Sequence, residues 1–441
     1  MQENLKRDIG TFGLACTVIN VVIGTGIFTL PALAAEKIGA AAIICFLICG
    51  ILIFLIALCF ADIGSKVKVS GGTYTYIESA FGPFIGFIAN NLFWFGSCVL
   101  GDAAIATALA KTLAHFFPVL NTDAGRVLFL LIVFGGLALI NIRGAKYGVG
   151  FSILTAFLKL IPLLLLIVFG MIHVTMDNLR WQQDFSISDI GSATLVLFYA
   201  FVGIETAVNN GGEFKNPANT VPFGILSGIS FVLLVYVCIQ LVSQGMLGNQ
   251  LQAYKDAPLA AVANNLFGGA GTTLIIIGTA LAMLGALSGE LLGNPRILFA
   301  GARDGILPKY LARVHPKYFT PHVSIAVYAA LGFLFAVLGA FKQLIVLASA
   351  ATLLIYLGVV LATMKLKLKQ KATSEKSFTI PGGITIPVLA TAIIIWILSN
   401  LTRQEIIGIV LFMLALAAIF LVMKFIKRKH ENPEKPAIVR N

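Results

Sequence analysis

Apolar runs of about twenty residues, each long enough to cross a bilayer, follow one another through nearly the whole chain, and two of them carry glycine breaks near their centre. The first break is Asn20-Val21-Val22-Ile23-Gly24-Thr25-Gly26-Ile27-Phe28; the second is Phe198-Tyr199-Ala200-Phe201-Val202-Gly203-Ile204-Glu205. Glycine loosens a helix through backbone freedom. In lipid, an N–H or C=O released in this way must find a partner or line a cavity. Two such breaks at corresponding places in two halves of a membrane chain point to the central binding site of a transporter.

The chain is 59% hydrophobic and 11% charged, against roughly 25% charged in a soluble domain, which excludes a soluble globular protein. Twelve spans are predicted near 11–36, 40–65, 84–114, 126–141, 145–173, 191–212, 221–245, 271–301, 322–340, 342–364, 384–400 and 404–425. With the N-terminus inside, the outer segments hold only Lys37, Lys111, Arg126, Arg180, Lys255, Lys342 and Arg403 of the 31 Lys and Arg. Lys365, Lys367, Lys369 and Lys371 crowd one inner loop, and Lys424, Lys427, Arg428 and Lys429 crowd the tail. That asymmetry sets both termini in the cytoplasm. The net charge of +12 is therefore topogenic, and no nucleic-acid partner is expected.

The six cysteines all fall inside apolar spans and read as packing residues, with no metal-ligand spacing. The polar start, Gln2 to Asp8, shows no removable signal. No metal or cofactor is expected. G-x-S-x-G, H-E-x-x-H and Walker elements are absent, so an enzyme is not expected.

Spans one to five and six to ten form two sets, each opening with a broken span. An odd number of crossings per set inverts the second relative to the first, as in many secondary transporters. The chain reads as one domain, 1–441, with a first repeat over 11–173, a second over 191–364 and two appended helices over 384–425. Ser70-Gly71-Gly72-Thr73-Tyr74-Thr75-Tyr76 is either a plain turn or a gate lying against the membrane. Glu213 to Pro222 reads as a helix stop, a turn and a new helix start.

Five elements in order resemble the amino acid–polyamine–organocation superfamily. They are G-[ST]-G-[IV]-F at Gly24 to Phe28, SGG-x-Y at Ser70 to Tyr74, A-F-x-G-x-E-[ST]-A at Ala200 to Ala207, K-N-P…P at Lys215 to Pro222, and R-D-G-x-[LF]-P at Arg303 to Pro308. The resemblance spans roughly residues 8–425. It implies an all-α integral membrane fold of twelve helices. The fold is a five-plus-five inverted repeat with broken helices 1 and 6, plus two appended helices, moving amino acids by alternating access across the cell (inner or plasma) membrane.

The resemblance also assigns roles. Ile23, Gly24, Thr25 and Gly26 would offer N–H groups to the substrate carboxylate, aided by the positive end of a half-helix. Carbonyls of Tyr199, Ala200 and Val202 would receive its ammonium. The alternative is that the glycines only allow close helix packing. Lys159, charged at bilayer depth, is functional by default; in relatives a lysine there replaces sodium and braces the unwound helix. Alternatively it snorkels to the surface. Glu205 is expected either to couple helix 6 movement or to bond backbone freed by the break.

Gly101, Tyr199 and Glu290 are expected at the substrate side chain, with Tyr199 as an aromatic gate able to stack on a guanidinium. Glu290 departs from arginine–agmatine antiporters, which have an aromatic there. A carboxylate favours a cationic side chain, unless it pairs with Arg296. Asp102 is either a second acidic determinant or a scaffold partner. The expected function is sodium-independent amino acid transport, proton-coupled or by exchange, with a cationic preference. A polyamine or neutral amino acid exchanger is the nearest alternative. A channel, or a sensor that binds without moving substrate, would differ in its response to substrate on the far side.

Overall fold

The computed structural model describes residues 10–66, 73–143, 145–181, 184–205, 217–255, 257–303, 307–369 and 378–431. Among these residues every regular element is a helix. Lipid leaves a chain of this composition few other choices, because a helix satisfies its backbone within one segment.

The first predicted span is two helices, α1 (Thr11–Val22) and α2 (Gly26–Ile38), separated by the predicted break. The chain turns at Gly39 into α3 (Ala42–Lys66). Two short helices follow, α4 (Thr73–Phe81) and α5 (Pro83–Asn91). The part of the Ser70–Tyr76 element from Thr73 onward is thus the start of a helix; Ser70 to Gly72 lie outside the described residues. From α5 the chain passes through a π-helical stretch, Leu92–Val99, into α6 (Leu100–Leu113). Next come α7 (Asp123–Arg143), α8 (Ala145–Gly170) and α9 (Ile187–Phe198).

The remaining helices are α10 (Pro217–Leu247), α11 (Pro258–Gly293), α12 (Pro295–Arg303), α13 (His322–Leu338), α14 (Phe341–Lys369), α15 (Thr385–Leu398) and α16 (Arg403–Glu431). The predicted span 271–301 differs most. It begins earlier, kinks at Gly268 and breaks at Asn294 ahead of Pro295. The predicted 206–212 end of the sixth span, Lys215 and Asn216, and Asp304 to Ile306 lie outside the described residues.

Among the described residues, seven helical runs are long and apolar enough to cross a membrane: Gly26–Gly64, Pro83–Leu113, Asp123–Arg143, Asn219–Ala253, Pro258–Arg303, Phe341–Leu368 and Arg403–Met423. Shorter apolar helices cover Thr11–Val22, Leu158–His173, Ile187–Phe201, His322–Leu338 and Thr385–Leu398. The two broken helices are central. α1 packs on α10, α10 on α3, α9 against α2 and α3, and α11 along α8. α16 lies at the periphery, with Leu411, Leu414 and Leu421 exposed.

The molecule has an apolar core into which a few polar and charged groups are set, and apolar side chains also cover its outside. Asp102, Lys159 and Glu205 are buried, while Leu128, Leu131, Ile132 and Leu139 stand exposed on α7. Charged groups gather at helix ends. Lys255 and Lys342 bond Glu36 at 2.8 and 3.3 Å, and Lys367 lies 3.3 Å from Asp62.

Candidate functional site

α1 stops where the glycine-containing break begins. Ile23 N–H donates to Ile19 O at 3.0 Å, and Gly24 N–H turns back to Val22 O at 2.7 Å. Those two amides are therefore committed to the chain itself. Ile23 is also fully buried in the core and is not among the residues lining the cavity beside the break. Thr25 and Gly26, which open α2, do line it. The first N–H groups of a helix stand outside its ladder, so these two suit an incoming carboxylate better than Ile23 or Gly24.

The second break has a matching form. α9 ends at Phe198, a single 3₁₀ turn covers Tyr199–Phe201, Val202 is extended, and Gly203 takes φ +124°. The breaks touch each other. A Cβ on Gly26 would fall 2.6 Å from Ala200 Cα, and one on Gly203 would fall 2.7 Å from Val21 Cγ1. Close packing at Gly26 and a binding role for its amide are thus compatible features of one place.

Tyr236, on α10, bridges the breaks. Its buried hydroxyl is 2.8 Å from Val22 O and 2.9 Å from Ala200 O, sharing one proton between them. The Tyr199 carbonyl accepts from Val202 N–H at 3.4 Å. Val22 O, which also accepts from Gly24 N–H, has both lone pairs engaged; the Tyr199 and Ala200 carbonyls each keep a second one, so an ammonium can add there without displacing these bonds.

Both breaks face one cavity of about 620 Å³ including its mouth. Its lining brings together Gly24, Thr25, Gly26, Gly101, Asp102, Tyr199, Ala200, Val202, Glu205 and Glu290. Of the sequence-predicted site residues, only Ile23 and Lys159 are absent from it. Tyr199 crosses the cavity, its hydroxyl donating to Gly101 O at 2.9 Å. The π-helical stretch supplies Ser97 and Cys98; such stretches recur at functional sites.

Lys159 lies behind the site. Its side chain is buried, and its ammonium donates to Asn20 O in the last turn of α1. It points to the helix end and not along a route to the surface. A cation at a helix C-terminus complements both the open carbonyls and the dipole. Glu205 accepts from the Gly203 N–H at 3.2 Å and from the Tyr356 hydroxyl, so it closes the turn after the break.

Glu290 does not pair with Arg296. The Arg296 guanidinium, at the start of α12, donates back to Leu292 O at the end of α11, while a Glu290 oxygen accepts from the Asn294 amide at 2.5 Å. Asp102 accepts from the Tyr328 hydroxyl at 2.7 Å. Three carboxylates therefore line the cavity, and no lysine or arginine is among the described lining residues.

A family model described as amino acid permease matches residues 9–439. The serine/threonine exchanger SteT of Bacillus subtilis (strain 168) is 30% identical over 401 residues, covering 88% of this chain and 90% of the exchanger. The chain belongs to the amino acid permease family.

Two further relatives come from the same organism. The branched-chain amino acid permease BcaP is 27% identical over 447 residues, covering 98% of this chain and 95% of its own length. The methylthioribose transporter is 28% identical over 434 residues, with 90% and 89% covered. This permease is thus an integral membrane transport protein and not an enzyme, within the superfamily that its five sequence elements resemble. The permease also holds residues that no motif announced: Tyr236, Asn294, Tyr328 and Tyr356. Each hydroxyl or amide meets a partner far away in sequence or across a helix break, so nothing local marks them.

Proposed function

We propose that this permease carries amino acids by alternating access across the cell membrane, with both termini in the cytoplasm. The observation that carries the proposal is the meeting of the two breaks at one cavity, where the start of α2 offers amides and the turn after α9 offers carbonyls. An amino acid presents a carboxylate and an ammonium close together, and those two backbone sets answer both. The twelve-crossing, inverted-repeat reading is supported by seven long and five shorter apolar helices among the described residues and by the matched form of the breaks.

Transport is sodium-independent in this reading, because the Lys159 ammonium already supplies a fixed cation at the end of α1. Coupling is then to protons or to a counter-substrate. Tyr199 gates the cavity, and Glu205 couples movement of the second break. Glu290 and the other cavity carboxylates favour a cationic side chain. A neutral-substrate reading is supported by the names of the relatives, a serine/threonine exchanger and a branched-chain permease.

Uptake and counterflow in proteoliposomes separate these readings, using arginine, lysine, ornithine, serine, leucine and putrescine with sodium replaced by choline. Stimulation by substrate on the far side and indifference to sodium are expected. Strict sodium dependence would overturn the role of Lys159. Glu290→Gln keeps shape and removes charge. It is expected to weaken cationic substrates by about 1.5–3 kcal/mol and neutral ones much less. Outright preference of the unaltered protein for neutral amino acids would overturn the cationic reading.

A further inference from the structure

Two of the cavity carboxylates, Asp102 on α6 and Glu290 on α11, are not independent. The Asn294 amide stands at the junction of α11 and α12, where its backbone N–H still donates to Glu290 O at 2.8 Å. Its side-chain nitrogen donates to a Glu290 carboxylate oxygen at 2.5 Å and to the Tyr328 hydroxyl oxygen at 2.9 Å. Tyr328, fully buried on α13, donates its own hydroxyl hydrogen bond to Asp102 at 2.7 Å. An amide NH₂ has two protons and a phenol has one, so every donor in the chain is used and both ends are acceptors.

The direction of these bonds matters. Asp102 and Glu290 each receive one hydrogen bond from behind and each lines the cavity, where the described lining offers no basic side chain. A carboxylate held on one side keeps acceptor capacity on the other. We infer that Asn294 and Tyr328 are positioning residues that turn Asp102 and Glu290 into one two-carboxylate subsite for the ammonium or guanidinium of a cationic substrate side chain. The inference rests on the cationic reading above and deepens it. It adds which residues hold the acids and makes Asp102 a partner of Glu290. Such a subsite favours a cation because two acceptors are fixed before it arrives, and preorganisation lowers the ordering that binding requires.

The test is binding to purified full-length protein by isothermal titration, with arginine, lysine, serine and leucine as probes. Tyr328→Phe keeps the ring and removes the hydroxyl. Asn294→Leu keeps the volume and removes both donors. Each is expected to weaken arginine and lysine by about tenfold, a modest hydrogen bond's worth, and serine and leucine by less than about twofold. The double variant Tyr328→Phe with Asp102→Asn is expected to bind arginine no more weakly than Asp102→Asn alone, since the hydroxyl acts through that carboxylate. Equal weakening of cationic and neutral probes by Tyr328→Phe would overturn the positioning role while leaving the cationic reading in place, as would additivity in the double variant. Unaltered protein that binds serine or leucine but neither arginine nor lysine would overturn the cationic reading, and this subsite with it.

Discussion

Gly24 and Gly26 stand two positions apart in one motif, yet their surroundings differ. A methyl on Gly26 would meet Ala200 Cα at 2.6 Å and Ala200 Cβ at 2.7 Å, all of it backbone or a side chain with no freedom to retreat. A methyl on Gly24 would meet nothing nearer than 3.9 Å. Gly26→Ala must therefore push the two broken segments apart, whereas Gly24→Ala fits. Transport assays are expected to show Gly26→Ala reduced to near background and Gly24→Ala retaining most of its rate. Comparable losses from both would mean that the motif's glycines serve backbone flexibility more than contact. The sequence marks both glycines equally, since a motif records residue type and not the distance to a neighbour from another segment. The same limit accounts for Ile23, which belongs to the motif's neighbourhood but keeps its amide in α1 and its side chain in the core.

Broken helices need something to hold them, and two buried groups do so from neighbouring elements. Tyr236 on α10 shares its proton between Val22 O and Ala200 O, and Lys159 on α8 donates to Asn20 O. Tyr236→Phe keeps the ring packing against Phe46 and Phe201 but leaves both carbonyls one donor short. It is expected to lower stability by about 1–3 kcal/mol, the cost of an unsatisfied buried polar group, read as a lower melting temperature in detergent. Lys159→Ala is expected to reduce transport by about tenfold or more with unchanged membrane insertion. Transport at the unaltered rate would leave Lys159 without a coupling role. Where the helices break was legible, because glycine at the centre of an apolar span loosens the backbone there. The bracing tyrosine was not, because Tyr236 lies in an apolar run where an aromatic residue is ordinary. The π-helical turn at Leu92–Val99 was equally silent, since that segment is apolar almost throughout and holds no polar periodicity for a wider turn to shift.

At the scale of the whole molecule, the number of crossings decides where the termini lie. If only the seven long runs crossed, an odd count would put the two ends on opposite sides of the membrane. The shorter helices argue against that. α1 and α2, with 12 and 13 residues, rise about 18 and 20 Å, so neither spans a hydrocarbon core of about 30 Å alone. Joined through the break they do. α13, with 17 residues, rises about 26 Å, close enough to cross with modest thinning or polar ends at the interface. The charge clusters agree with an even count. Glu36 gathers Lys255 from the turn between α10 and α11 and Lys342 from the start of α14, and Asp62 meets Lys367 from the other end of α14. Glu36 lies in the last turn of α2 and Asp62 near the end of α3, the next helix, so the two clusters lie on opposite faces. A cysteine-free variant carrying Lys255→Cys is expected to react with a membrane-impermeant maleimide in intact cells. The same background with Lys317→Cys is expected to react only after the cells are opened, as are epitope tags at either terminus to react with antibody. A C-terminal tag reached from outside while an N-terminal tag stays protected would require an odd number of crossings, and the inverted-repeat reading would fall with it.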